Sequence, residues 1–261
     1  MRSSYLVAVF TVLVYVFIFA PIAVLTLLSF NSARFGSFPM EGFSFRWFVE
    51  LYENAAIVRA FKTSLVLGLL TAVISTTLGI LACLAIVRYN FRGKETVNTL
   101  LIAPVLIPET VLAVGLLLFM QIMHQPRSFL LLLLGHVLVS LPYVVLVVQA
   151  RLVGIRRVYE DEAMSLGANR FQTFREITLP LLMPAVMAGL LFSFTISFDN
   201  ITATAFWRPG GLETVPTQIF GMLRNSISPE INALGTVMIV ITVGLPLLAG
   251  GLARLMFRGR V

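Results

Sequence analysis

Six long apolar runs divide this chain, at Tyr5–Phe30, Leu65–Val87, Val97–Met123, Phe129–Leu152, Pro180–Phe198 and Ala233–Phe257. A helix rises about 1.5 Å per residue, so roughly 20 residues cross the ~30 Å hydrocarbon core of a bilayer. Hydrocarbon offers no water to satisfy backbone N–H and C=O groups, and a continuous run of this length meets that demand as a helix. The expected fold is therefore all-α, a membrane protein with six transmembrane helices in one domain over residues 1–261. Composition supports lipid as the medium: 58% of residues are hydrophobic and 12% charged, against about 45–50% and about 25% in soluble domains. The first run follows Arg2, exceeds the roughly 7–15 apolar residues of a signal peptide, and ends without a small-x-small cleavage site. It reads as a retained span. The fifth run is the shortest and carries Ser193, Thr195 and Ser197, so it is the one expected to line an aqueous path.

Charge placement sets the topology. With the N-terminus inside, twelve Lys and Arg residues fall in cytoplasmic segments and seven outside. The outside loops are longer and weigh less in this rule, so both termini and the loop 153–179 are expected in the cytoplasm. The net charge of +7 is scattered through short loops beside the spans, where basic residues meet anionic headgroups. No basic stripe with interleaved aromatics exists, which excludes nucleic acid as a partner and leaves membrane lipid. Cys83 is the single cysteine, and His124 and His136 belong to no ligand-like cluster. With no nucleophile–base pair and no Gly-rich phosphate loop, the chain is not expected to be an enzyme or to hold a cofactor or metal.

Two outside loops are long. In the first, Trp47, Phe48, Leu51 and Tyr52 share one helical face, the pattern of an interfacial helix. The second, 199–232, turns at Pro209-Gly210-Gly211.

The cytoplasmic loop contains Glu162-Ala163-Met164-Ser165-Leu166-Gly167, followed nine residues after the glycine by Ile177-Thr178-Leu179-Pro180. This resembles the "EAA" loop of membrane-spanning subunits of ATP-binding cassette (ABC) importers, an acid–Ala–Ala–(three residues)–Gly–(nine residues)–Ile-x-Leu-Pro series. Aligned on Glu162, Met164 stands where the family has a second alanine. The residues alone also suit an ordinary acidic helix ended by a glycine. The resemblance implies the type I importer permease fold, with a coupling helix between spans 4 and 5 that docks on an ATPase. Glu160, Asp161, Glu162, Ala163, Leu166, Gly167, Ala168 and Phe171 are the residues it assigns to that contact. It further implies a second homologous permease subunit, two ATPase subunits that bind ATP and Mg, an extracytoplasmic substrate-binding protein, and a bacterial inner membrane. A gradient-driven secondary transporter is the alternative class, but it needs midplane carboxylates and usually repeated halves; no repeat is visible.

Ser29-Phe30-Asn31, Trp47-Phe48, Leu191–Asp199 and Ser228–Leu234 look like the C-type permease of spermidine/putrescine importers, with parts shared by permeases for ferric iron, opines, thiamine and aminophosphonates. Where polyamine permeases often carry two acids, this chain has Asp199-Asn200. Glu109, after Pro104 and Pro108, and Asp199, beside Phe198 and ahead of Phe206 and Trp207, are the candidate substrate path. Intramembrane carboxylates usually face a water-filled cavity or a partner, and aromatic rings add cation–π attraction. The other readings are a helix N-terminal carboxylate for Glu109 and a cap or ion pair for Asp199. The topology has a direct test. In a Cys83→Ala background, Arg170→Cys and Gly210→Cys should react with a membrane-impermeant thiol reagent from opposite faces; labelling from one face overturns it.

Overall fold

The computed structural model describes residues 2–33, 40–225 and 228–257. In chain order its helices are α1 (Arg2–Leu28), α2 (Arg46–Glu53), α3 (Ala55–Arg88), α4 (Lys94–Leu106), α5 (Glu109–Ile122), α6 (Phe129–Gly154), α7 (Val158–Ser165), α8 (Arg170–Thr173), α9 (Leu179–Phe198), α10 (Thr202–Trp207), α11 (Val215–Asn225) and α12 (Glu230–Phe257). A π-helical turn, Phe174–Thr178, joins α8 to α9. Among the described residues the only isolated extended pairing is a bridge between Asn31 and Phe43.

Among the described residues, five helical segments are long and apolar enough to cross a membrane. The third run departs from the expected single span over 97–123. It is split into α4 and α5, which meet at 110°. The cause is local: Pro108 has no N–H to give the preceding turn and pushes Ile107 out of the helical region, and Ile107 is extended at φ −95°, ψ 130°. Six spans result only if the bent pair counts as one.

Contacts group the chain into two compact units, Met1–Ala60 with Gln218–Gly244, and Phe61–Thr217 with Leu245–Val261. In the second unit α3 is patterned inside out relative to a soluble helix. Ser64, Thr71, Ser75, Thr76 and Cys83 are buried, while Val66, Leu69, Val73 and Leu81 are exposed. Small residues let membrane helices approach closely, and large aliphatic ones suit lipid tails. One cluster joins Ile80 and Cys83 of α3 to Val144, Val145, Val148 and Leu152 of α6 and Leu182 and Ala185 of α9. A second joins Leu67, Ala113, Leu132, Leu133, Ala203 and Trp207. Trp207 is fully buried and its Nε1 donates to the Ala113 carbonyl at 2.8 Å. Gly135 makes room for it: a Cβ there would lie 2.3 Å from the indole.

These positions correct two expectations. Ser193 and Ser197 are buried rather than lining water, because α9 turns that face toward α6. Phe198 and Trp207, expected beside a cation path, are core residues; Phe198 stacks on Phe194 at 5.3 Å and meets Phe61 edge-on.

In the first unit residues 5–22 of α1 are all exposed. The loop after α1 is organised by Asn31, whose carbonyl accepts from Trp47 Nε1 at 2.6 Å and whose Oδ1 accepts from the amides of Ala33 and Glu41, each at 3.2 Å. Trp47 and Leu51 are thus buried, and only part of the predicted interfacial face, Tyr52 above all, is presented outward. Phe30, Phe43, Phe45 and Phe48 pack around the same turn.

Gly135→Val should lower the thermal stability of the purified protein by the equivalent of about 1–3 kcal/mol, the usual cost of overpacking. Gly154→Val should not, since nothing lies within 4 Å of its Cβ position.

Candidate functional site

The loop 153–179 is built on a buried ion pair. Arg88, the last residue of α3, places Nε 2.9 Å from a Glu160 carboxylate oxygen. Its Nη2 donates to the Ile155 carbonyl at 3.1 Å, satisfying the end of α6. The Thr178 hydroxyl donates to Glu160 Oε1 at 2.9 Å. Both charged side chains are 12% exposed, so Glu160 holds α7 against the end of α3 and the turn that feeds α9. Glu160 therefore faces inward, unlike the rest of the acidic group.

α7 ends as glycine at this position allows. Gly167 has φ +96°, its N–H bonds the Met164 carbonyl at 3.1 Å, and Ala168 N–H bonds the Ala163 carbonyl at 3.0 Å. This pair of bonds is a Schellman termination, and the left-handed φ excludes side chains of ordinary bulk. The chain then restarts at once: Asn169 Oδ1 accepts from Gln172 N and Gln172 Oε1 accepts from Asn169 N, each at 2.9 Å. That capping box was present in the sequence as Asn169-x-x-Gln172 and went unread. The reversal leaves Leu166 90% and Phe171 69% exposed, with Asp161 and Glu162 also exposed. Counted back from Gly167 with a three-residue spacer, the acid–Ala–Ala positions fall on Asp161, Glu162 and Ala163. This corrects the alignment on Glu162 by one residue, and the acid of the pattern is Asp161. A groove of about 490 Å3 runs beside α7, lined by Tyr159, Glu162, Leu166, Glu176, Ile177 and Leu181 among others.

At the other end of this unit, the structure brings Glu109 to Asn200. Glu109 opens α5 directly after the Pro108 break, and the Asn200 side-chain amide donates to its carboxylate. A carboxylate in the first turn is favoured by the helix dipole. It also borders a cavity of about 410 Å3 formed by both sides of the break with Leu112, Val139 and Tyr143. Asp199 sits at the C-cap of α9. Its side chain has no hydrogen bond or ion pair among the described residues, and partial burial pushes its carboxyl above the ordinary range. Tyr143 is the aromatic residue that shares a cavity with Glu109, a role the sequence could not assign because only the α4–α5 bend creates that cavity.

Comparison with known proteins places the chain. Residues 64–260 match the model of the binding-protein-dependent transport system inner membrane component family, and the chain belongs to this family. It is 36% identical to the spermidine/putrescine transport system permease protein PotC of Haemophilus influenzae over 249 residues, covering 95% of this chain and 96% of the relative. It is 34% identical to the putrescine transport system permease protein PotI of Escherichia coli over 232 residues, 86% of this chain and 82% of the relative. A crystal structure of the bacterial alginate ABC transporter, in complex with an alginate pentasaccharide-bound periplasmic protein, superposes with a TM-score of 0.70 at 19% identity over 98% of this chain and 96% of that one. The chain is a multi-pass permease subunit of an ABC importer, a transport component rather than a catalytic one.

Arg88→Ala leaves a buried carboxylate without its cation and should cost roughly 3 kcal/mol of stability, seen as a lower unfolding temperature. Asp161→Ala, at an exposed pair 3.7 Å from Arg157, should cost well under about 1 kcal/mol.

Proposed function

We propose that this chain forms, with a second permease, the pathway by which a polyamine such as putrescine or spermidine enters the cytoplasm. The energy comes from two separate ATPase subunits that bind ATP and Mg, and an extracytoplasmic binding protein delivers the substrate. The names of its relatives suggest the polyamine. The observation in this chain that carries a cationic substrate is Glu109, an acid at the opened turn of an interrupted apolar hairpin, with Tyr143 in the same cavity. A carboxylate attracts an ammonium more strongly where hydration is poor, and a tyrosine ring adds cation–π contact. One acid with an aromatic neighbour holds a cation weakly enough for it to leave inward. Asp199, a few residues from the Glu109 partner Asn200, would add long-range attraction at the outer end of α9.

Both termini lie in the cytoplasm in this reading, as does α7, whose exposed Leu166 and Phe171 side chains together with Asp161, Glu162, Ala163, Gly167 and Ala168 meet the ATPase. Exposed apolar side chains with no neighbour in their own chain are what a protein partner covers. ATP-driven closure of the ATPase pair then moves α7 as a rigid body.

Reconstituted with its cognate ATPase and binding protein, the complex should take up radiolabelled putrescine in an ATP-dependent manner. Glu109→Gln should reduce that uptake about tenfold or more, the scale of one lost charge interaction, while ATP hydrolysis persists. Normal uptake by Glu109→Gln removes the acid from the path; failure to take up any polyamine removes the substrate class and leaves the importer assignment standing. Gly167→Val should abolish stimulation of the ATPase by loaded binding protein, because a β-branched residue resists φ near +96°.

A further inference from the structure

We infer that His136, in the N-terminal third of α6, is a positioning residue that sets the Asn200–Glu109 pair at the break of the third run. The inference rests on the reading of Glu109 as part of the substrate path. His136 is 1% exposed and far in sequence from every residue it serves. Its Nδ1 lies 2.8 Å from Ser197 Oγ and its Nε2 3.0 Å from Thr204 Oγ1. Ser197 Oγ is also 3.3 Å from Thr71 Oγ1. One ring therefore ties α3, α9 and α10 to α6.

Counting protons fixes the direction of the chain. The Thr204 hydroxyl has one proton, and it goes to the Asn200 backbone carbonyl at 2.7 Å. Thr204 Oγ1 must then accept from His136, so Nε2 carries the ring proton. In a neutral imidazole Nδ1 is consequently an acceptor; the one Ser197 hydroxyl proton has two acceptors in reach, Nδ1 at 2.8 Å and Thr71 Oγ1 at 3.3 Å, and the shorter contact to Nδ1 takes it. Downstream, Thr204 N–H donates to Asn200 Oδ1 at 3.2 Å. With its oxygen facing Thr204, the Asn200 amide has its nitrogen toward Glu109, to which it donates. His136 thus holds the Thr204 hydroxyl on Asn200, whose backbone carbonyl it meets at 2.7 Å and whose Oδ1 it meets at 3.4 Å; the Thr204 N–H sets which way the Asn200 amide faces, and Asn200 holds the carboxylate. Without the Nε2 proton, the Thr204 hydroxyl is free to leave the Asn200 carbonyl, and the turn that carries the Asn200 side chain loses that tie.

Two side chains separate the halves of this argument. Gln at 136 extends an amide N–H toward the place of Nε2, restoring the donor to Thr204. Asn at 136 is shorter and reaches only the place of Nδ1, restoring the contact to Ser197. In the reconstituted complex, His136→Phe and His136→Asn should each reduce radiolabelled putrescine uptake about tenfold, the consequence of one lost buried hydrogen bond. His136→Gln should stay within about threefold of the native protein by the same measure. Basal ATP hydrolysis should be unchanged in all three. In a Glu109→Gln background His136→Phe should add no further loss, because it acts through that carboxylate.

Equal uptake by His136→Gln and His136→Asn reduces His136 to a packing residue and overturns the inference, as does full additivity in the double variant. If His136→Phe fails to assemble, the Gln–Asn comparison still decides. Should Glu109→Gln itself transport normally, the path reading fails first and His136 has nothing to position. An impaired Glu109→Gln with a normal His136→Phe rejects the inference alone.

Discussion

The constraint on which this structure depends is that a polar group in hydrocarbon finds its partner inside the protein or goes without. It explains why Ser64, Thr71, Ser75 and Thr76 of α3 turn inward while Val66, Leu69, Val73 and Leu81 face outward. It also bears on two kinds of buried hydroxyl. Ser197 and Thr204 meet His136, and Thr71 joins them through Ser197. Ser75, Thr76, Ser140 and Ser193 are buried with no side-chain hydrogen bond among the described residues. For the second kind, smallness is the property the packing uses, since small side chains permit close helix contact.

The same constraint makes the break at Ile107–Pro108 informative. An interrupted helix at membrane depth is tolerated where protein or a water-filled cavity takes over the freed backbone groups. Here the break adjoins a cavity, and the first residue beyond it is a carboxylate held by an amide. In a soluble protein, Glu109 at a helix N-terminus after proline would need no further explanation. In a span, the cost of placing it there is what supports the aqueous path of the proposed function.

Much of this was legible from the residues. Run length gave the helices, and Gly167 gave the reversal of the loop 153–179. Pro104 and Pro108 signalled a bend, though not one of 110°. Other features depend on contacts between residues distant in the chain, and local pattern does not encode those. Glu160 reads as one more solvated acid of α7 until Arg88, from another helix, is seen to neutralise it. Trp207 reads as an aromatic wall of a cation path until Gly135 is seen to open a slot for it in the core. A single histidine among leucines carries no periodic signal, so His136 was set aside. Asn169-x-x-Gln172 is different: its signal is local, and it went unread because the EAA pattern on either side drew the reading.

The two regions of the proposed function lie at opposite ends of one element. α9 begins at the turn where Thr178 bonds Glu160 and ends where Ser197 bonds His136 and Asn200 bonds Glu109. At about 1.5 Å per residue this helix is roughly 30 Å long. Between those ends it packs along α6 through Leu182 and Ala185, and Arg151 Nε donates to the Leu181 carbonyl at 3.0 Å. Close-packed helices shift as units rather than deform continuously. In the proposed function, a displacement of α7 by an ATPase would reach α9 through the Glu160–Thr178 bond, and α9 ends beside the Asn200 amide that bonds Glu109. Coupling between two sites is reciprocal, so a cation that drew Glu109 from Asn200 would in turn loosen the segment that terminates α9. On that proposal substrate and nucleotide bias one helix from its two ends, which is the minimal device an importer needs to make uptake depend on both.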